Sequence, residues 1–184
     1  MRIIAGDLRG RQLKAVEGIH TRPTSDKVKG AIFNVLGEKV LNSRVLDLFA
    51  GTGNLAIEAL SRGSSEAVLV EKNFAAYQTI KKNLEVLGVC QKSKLLLMDA
   101  FKFIHKNPDK VFDLIFLDPP YRQELIPKII EALKGYSYLT PDGVIIAETA
   151  KDEDLAAGDM YPFEIRKTGE YGDTKVWYLQ RMDV

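Results

Sequence analysis

The chain is poor in the residues that most often carry metal or redox chemistry. Its 184 residues include one cysteine, Cys90, and two histidines, His20 and His105. A single cysteine excludes an internal disulfide, and two histidines far apart in sequence do not complete a Cys/His zinc site of the usual spacing. No metal is therefore expected, and Cys90 reads as an inert thiol near a helix end, with nothing cationic bracketing it. Long apolar runs are missing as well: nothing approaches the roughly 20 residues that span a bilayer. The opening MRIIAGDLRGRQ is too short and too charged for a signal peptide, so a cytoplasmic location is expected. Internal repeats and low-complexity segments are also lacking. What is present, 46% apolar and 28% charged residues, is the balance of a globular protein, long enough for one ordinary domain with a small appendage. A compact monomer is the default.

A large charge of one sign is absent too, since the formal net charge is +1. That average conceals an asymmetry. Residues 1 to 29 carry Arg2, Arg9, Arg11, Lys14, Arg22, Lys27 and Lys29 against only Asp7, Glu17 and Asp26, while the remainder is mildly acidic. A basic arm on an acidic body is the distribution expected when one end meets a polyanion and the other holds something small. Arg2, Arg9, Arg11, Arg22, Lys27 and Lys29 are the candidate phosphate contacts.

From residue 44 onward, apolar runs alternate with helical patterns. RVLDLF (44 to 49), AVLVE (67 to 71), KLLLM (94 to 98), FDLIFLD (112 to 118) and GVIIAE (143 to 148) are apolar on consecutive positions. Both faces of such strands are buried, which predicts a parallel sheet between helix layers. Phe74, Tyr77, Ile80, Leu84 and Leu87 recur at helical steps behind a cap at Asn73, and Leu55, Ala56, Ala59 and Leu60 do the same after the first strand. FEIRKT and TKVWYLQ around GEYGD predict a closing antiparallel hairpin. The expected class is α/β, doubly wound, with a seven-stranded, mostly parallel sheet. Ahead of it, RIIAG and RQLKAV suggest a small hairpin with arginines at its tip. A helix follows, capped by Thr24 or Ser25, with a stripe of Val28, Ala31, Ile32, Val35 and Leu36 and a stop at Gly37. The expected division is an N-terminal extension, 1–38, and a main unit, 39–184.

Two motifs carry chemistry. In LDLFAGTGNLAIEAL, Gly51-Thr52-Gly53-Asn54-Leu55-Ala56 fits G-x-G-x-x-A, in which glycines admit a ligand to the backbone at a helix N-terminus, and Glu71 ends the next strand where it can hold two ribose hydroxyls. That pattern suits a nicotinamide dinucleotide as well as S-adenosylmethionine. Asp47 separates them: a carboxylate just ahead of the turn repels a pyrophosphate and attracts a ligand with an ammonium and a sulfonium. Asp99 ends the third strand and can accept from an adenine amino group, with Ala100 offering backbone; Phe49 and Lys72 flank these positions and join the candidate set. One acid at a strand end is common in α/β folds, whereas three at successive ends with a glycine turn point to a site.

The second motif is Asp118-Pro119-Pro120-Tyr121, at the end of the fourth apolar run. An amino group conjugated to a ring is a poor nucleophile, and an enzyme that methylates it must accept hydrogen bonds from its N–H groups. The Asp118 carboxylate can take one and the Pro119 carbonyl another. Two prolines hold these acceptors without reorganisation, and Tyr121 is a ring on which a flat base stacks. Asp118, Pro119 and Tyr121 are thus the candidate catalytic residues.

DPPY resembles the [DNS]-PP-[YFW] signature of class I amino-methyltransferases. The wider set RIIAG..RGR.L, TRPTSDKVKGAIFNVL, VLDLFAGTGNLAIEALSRG, VEKN, LDPPY and YGDTKVWY is similar, over essentially the whole chain, to the RsmD family of bacterial 16S rRNA methyltransferases. The resemblance implies a Rossmann-like fold, S-adenosylmethionine as donor, and transfer to guanine N2 (guanine 966 in the usual rRNA numbering) within 16S rRNA, whether naked, in an assembly intermediate or in the small ribosomal subunit. It implies that Asp47, Gly51, Gly53, Glu71 and Asp99 line the donor pocket, that Asp118 and Tyr121 hold the base, and that the TRPT segment with Thr24 and the following helix with Asn34 close over the donor. The chain departs from the family pattern at Val16-Glu17 and at Asn54. Alternatives are a DNA adenine-N6 or cytosine-N4 methyltransferase, a non-catalytic RNA-binding module on the same fold, and a nicotinamide-dependent oxidoreductase.

Overall fold

A computed structural model describes residues 1–16, 25–106, 110–155 and 160–182. Seven strands form one sheet in the order β3-β2-β1-β4-β5-β7-β6. They are β1 (Arg44–Asp47), β2 (Glu66–Glu71), β3 (Ser93–Leu97), β4 (Phe112–Leu117), β5 (Leu139–Ala150), β6 (Phe163–Tyr171) and β7 (Thr174–Arg181). β1 pairs in parallel with both β2 and β4, and β7 runs antiparallel between β5 and β6. The consecutive apolar positions work as predicted. In β1 and β4, Val45, Leu114 and Phe116 face one helix layer while Leu46, Ile115 and Leu117 face the other.

Among the described residues, five α-helices supply those layers: α1 (Asp26–Leu36), α2 (Asn54–Ser61), α3 (Phe74–Leu87), α4 (Ala100–Ile104) and α5 (Leu125–Lys134). α1, α2 and α3 share one core with Ile3 and Leu13 of the N-terminal arm, and α4 and α5 share the other with Trp177 and Phe163 of the terminal hairpin. Ser25 caps α1, its side chain accepting from Val28 N–H, and Gly37 ends it at φ 52°. Asn73 caps α3 by accepting from Ala76 N–H. The buried stripe of α3 is Ala76, Ile80, Asn83, Leu84 and Leu87. Phe74, expected in that stripe, occupies the first helical position and is 62% exposed.

The arm is a hairpin in outline, with a single bridge between Arg2 and Gln12 and cross-bonds from Ile3 N–H to Arg11 O and from Gly10 N–H to Ile3 O. Among the described residues, no helix is long and apolar enough to cross a membrane, and no group of three His, Cys, Asp or Glu could hold a metal.

What positions a site is the strand order. The chain leaves β1 toward β2 and β3, then returns to place β4 on β1's other side, so the loops after β1 and β4 diverge and open a crevice at the carboxyl edge.

Candidate active site

That crevice holds a cavity of about 470 Å³. Asp47, Phe49 and Gly51 reach it from the loop after β1, Glu71 and Lys72 from the end of β2, and Asp99 and Ala100 from the end of β3. Asp118, Pro119 and Tyr121 form the wall after β4. Residues drawn from four strand ends thus line one space.

The glycine turn folds tightly, with Gly53 N–H donating to Ala50 O at 2.6 Å and Gly53 at φ 80° opening α2. Gly53 is absent from the cavity lining. A Cβ there would meet Ile57 Cδ1 at 3.0 Å, so this glycine serves close packing beneath the turn. The Glu71 carboxylate accepts from Gly51 N–H at 2.9 Å through Oε2 and from Asn73 N–H at 2.7 Å through Oε1. A loop amide that would face a pyrophosphate in a dinucleotide site therefore already serves an acid. Asp99 caps α4, its Oδ1 accepting from Phe101 N–H at 2.9 Å and Lys102 N–H at 3.3 Å.

Asp47 is fully buried, and burial first, then the charges of Asp118 and Glu71, push its pKa up to about 8, against the pull of Phe49 N–H at 3.3 Å. Three carboxyl groups close enough to act on one another line this cavity, and Asp47 keeps its proton near neutrality until a positively charged ligand displaces it. After β4, Pro119 is buried and Pro120 exposed, and the Tyr121 hydroxyl lies 3.1 Å from Thr174 Oγ1, tethering the ring to the start of β7.

Besides Gly53, two candidate site residues lie elsewhere than expected. Lys29, a candidate phosphate contact, is wholly buried: its ammonium donates to Arg2 O and Asn54 Oδ1, each at 2.6 Å, and lies 3.2 Å from Glu58. Burial pushes its pKa down while Glu58 opposes that shift. An ammonium so enclosed has no access to RNA. Asn34, expected to close over the donor, is exposed on α1 and outside the cavity lining, because Val28, Ile32, Phe33 and Leu36 take the inward face. Arg9, Arg11 and Lys27 are exposed, Arg11 donating to Val86 O, and Arg2 is exposed while paired with Asp26 at 3.0 Å. Thr24, Arg22 and the rest of TRPT lie outside the described residues.

Residues missed from sequence include Met1 and Val16, which bring the arm to the cavity, and Asn54, Ala76 and Met98. Asn54 had a signal, as a departure from the family pattern inside the turn. Met1 and Val16 had none, because their approach depends on tertiary packing of the arm.

A family model described as Conserved hypothetical protein 95 matches residues 1–180. The chain is 42% identical over 164 residues to a Bacillus subtilis protein, YlbH, provisionally named as an rRNA methyltransferase, covering 87% of this chain and 89% of that one. It is 34% identical over 170 residues to Ribosomal RNA small subunit methyltransferase D of Haemophilus influenzae, covering 91% and 88%. A solved Escherichia coli structure, described provisionally as the methyltransferase yhhF, superimposes with a TM-score of 0.87 at 30% identity, covering 98% of this chain and 97% of that one.

Proposed function

Because the chain belongs to the RsmD family, we propose that it methylates the exocyclic N2 amino group of a guanine in 16S rRNA, guanine 966 in the usual numbering, with S-adenosylmethionine as donor. The carrying observation is the convergence of Asp47, Glu71, Asp99 and Asp118 on one cavity walled by Pro119 and Tyr121. A cavity of about 470 Å³ is of the size that encloses a nucleoside-sized ligand, and its carboxylates match a ligand with two positive centres better than one with a pyrophosphate.

In this reading Glu71 holds ribose hydroxyls, Asp99 and the backbone at Ala100 meet the adenine edge, and Asp47 faces the positive end. Bound there, the donor supplies an electrophilic methyl group. The remaining work belongs to the chain. Asp118 accepts one N2–H and the Pro119 carbonyl accepts the other, which orients the amine lone pair for attack while Tyr121 stacks under the purine; as the N–CH3 bond forms and the S–CH3 bond of the donor breaks to leave a neutral thioether, the surplus N2 proton passes by way of Asp118 to solvent. Alignment and fixed acceptors supply the catalysis without a covalent enzyme intermediate. The target must leave its stack, at a cost of about a few kcal/mol, least in a loop. Residues 1–38 form the arm that meets RNA through Arg2, Arg9, Arg11 and Lys27 and helps to cover the donor held by residues 39–184.

The test supplies methyl-labelled S-adenosylmethionine with 16S rRNA, naked and in small subunits, beside duplex DNA. Label on guanine N2 after nuclease digestion is the expected result. RNA binding without label would make the chain a non-catalytic module, and label in DNA would favour the adenine or cytosine alternative.

A further inference from the structure

We propose that Asn83 is a positioning residue that joins the N-terminal arm to the donor loop, so that ligand binding at the cavity and order in the arm are coupled. This rests on the cavity taking the donor, and extends it to a residue in neither motif.

Asn83 sits on the inward face of α3 and is 3% exposed. Its Oδ1 accepts from Lys14 N–H at 2.9 Å, while Nδ2 donates to Lys14 O at 3.2 Å and to Thr52 O at 3.0 Å. One side-chain amide therefore satisfies both backbone groups of an arm residue, as a strand partner would, and holds the glycine turn from behind. Thr52 lines the cavity, and so does Val16, two residues beyond Lys14. A polar group on the apolar stripe of a helix is retained at a desolvation cost unless each of its hydrogen-bonding atoms is used, and Asn83 uses both.

A second tie acts on the other flank of the turn. Asn54, also in the lining, accepts from the Lys29 ammonium, which donates to Arg2 O. Its partner Glu58 takes the N–H groups of Ile4 and Ala5 at 2.9 and 3.1 Å. Gly6 lets the arm lie on α2, since a Cβ there would stand 1.8 Å from Ser61 O, where Asp7 N–H also donates. The exposed Arg9 and Arg11 thus project from a stretch pinned on both sides, at Ile4 and Ala5 and again at Lys14, to elements that carry the turn. A ligand that fixes Thr52 fixes Asn83, and through it Lys14; the coupling is reciprocal by linkage.

Two measurements test this. In wild-type protein, adding S-adenosylhomocysteine should slow hydrogen exchange at the Lys14 amide; an unchanged rate with the ligand bound would overturn the proposal. Asn83→Asp keeps the acceptor for Lys14 N–H and loses both donors, and Asn83→Ala loses all three bonds. Each should raise the Kd for S-adenosylhomocysteine about tenfold in protein whose thermal unfolding remains cooperative. A lowered Tm with unchanged Kd would reduce Asn83 to a folding role and refute the coupling. Failure of wild-type protein to bind the ligand at all would instead count against the donor reading itself.

Discussion

The loops after β1 and after β4 face each other across one cavity, yet they differ in how much of their stiffness is their own. The turn after β1 has little stiffness of its own. Gly51 and Gly53 are at positive φ, and the turn is fixed from a distance by Glu71 on Gly51 N–H, Asn83 on Thr52 O and Lys29 on Asn54. The loop after β4 carries much of its stiffness in its own covalent structure, two successive prolines, and is tied beyond them by Tyr121 to Thr174 and by Arg122 to Glu153 and Asp152. A loop held by remote ties fails when a remote residue is changed. A loop held by its own rings fails when its own residues are.

The comparison is put under most strain by Lys29, which is far in sequence from the turn it supports. Removing its ammonium leaves the fully buried Glu58 carboxylate with Arg62 as its remaining cationic partner among the described residues, Arg62 Nε lying 2.7 Å away. Lys29→Ala should lower stability by about 3–5 kcal/mol in denaturant unfolding. A loss below about 1 kcal/mol would mean that the turn does not need its distant tie. Next in size is Asp118→Ala. Its expected effect is local: about a hundredfold loss in single-turnover methyl transfer, with the affinity for S-adenosylhomocysteine little changed.

The same contrast explains how much was readable in the sequence. The parallel strands appeared because both faces are buried, which leaves consecutive apolar runs, and the DPPY wall appeared because its rigidity is written in adjacent residues. The mistakes gather where long-range contacts decide. Lys29 looks like one more arm cation until α2 supplies Glu58 and Asn54, and Asn34 looks like part of a lid until the inward face of α1 is seen to be filled by Ile32 and Phe33. α5 was not singled out, although Ile126, Ile129, Ile130 and Leu133 repeat at helical steps and are buried, since Pro127 inside the pattern masks the signal until it is seen to sit in the first turn, where the missing N–H costs nothing.

Asp47, at the end of β1, makes the turn that follows it sensitive to pH. Its folded pKa of about 8 lies above the ordinary carboxyl value of 3.8, so it contributes instability that grows as pH rises from about 4 to about 8. Asp47→Asn should flatten the pH dependence of Tm across that window. A cationic donor meets a mostly protonated Asp47 near neutrality and must displace the proton. Its affinity should therefore climb, by up to about tenfold per unit, as pH approaches about 8 and level off above it. Calorimetry in buffers of different ionisation enthalpy would detect the released proton, and Asp47→Asn should abolish the slope.

The smallest effect belongs to Pro120. It is exposed and precedes Tyr121. Its contribution is to restrict the chain: the ring fixes its own φ and keeps Pro119 out of the helical region, which under the proposed function would fix the Pro119 carbonyl before the amine arrives. Pro120→Ala should release conformational freedom worth about 0.4–1 kcal/mol and slow turnover about two- to fivefold at unchanged donor affinity. A loss as large as that of Asp118→Ala would show that the proline ring itself meets the substrate. No loss at all would transfer the stiffness of this loop to its ties from Tyr121 to Thr174 and from Arg122 to Glu153 and Asp152, and the two loops would then both be held from elsewhere.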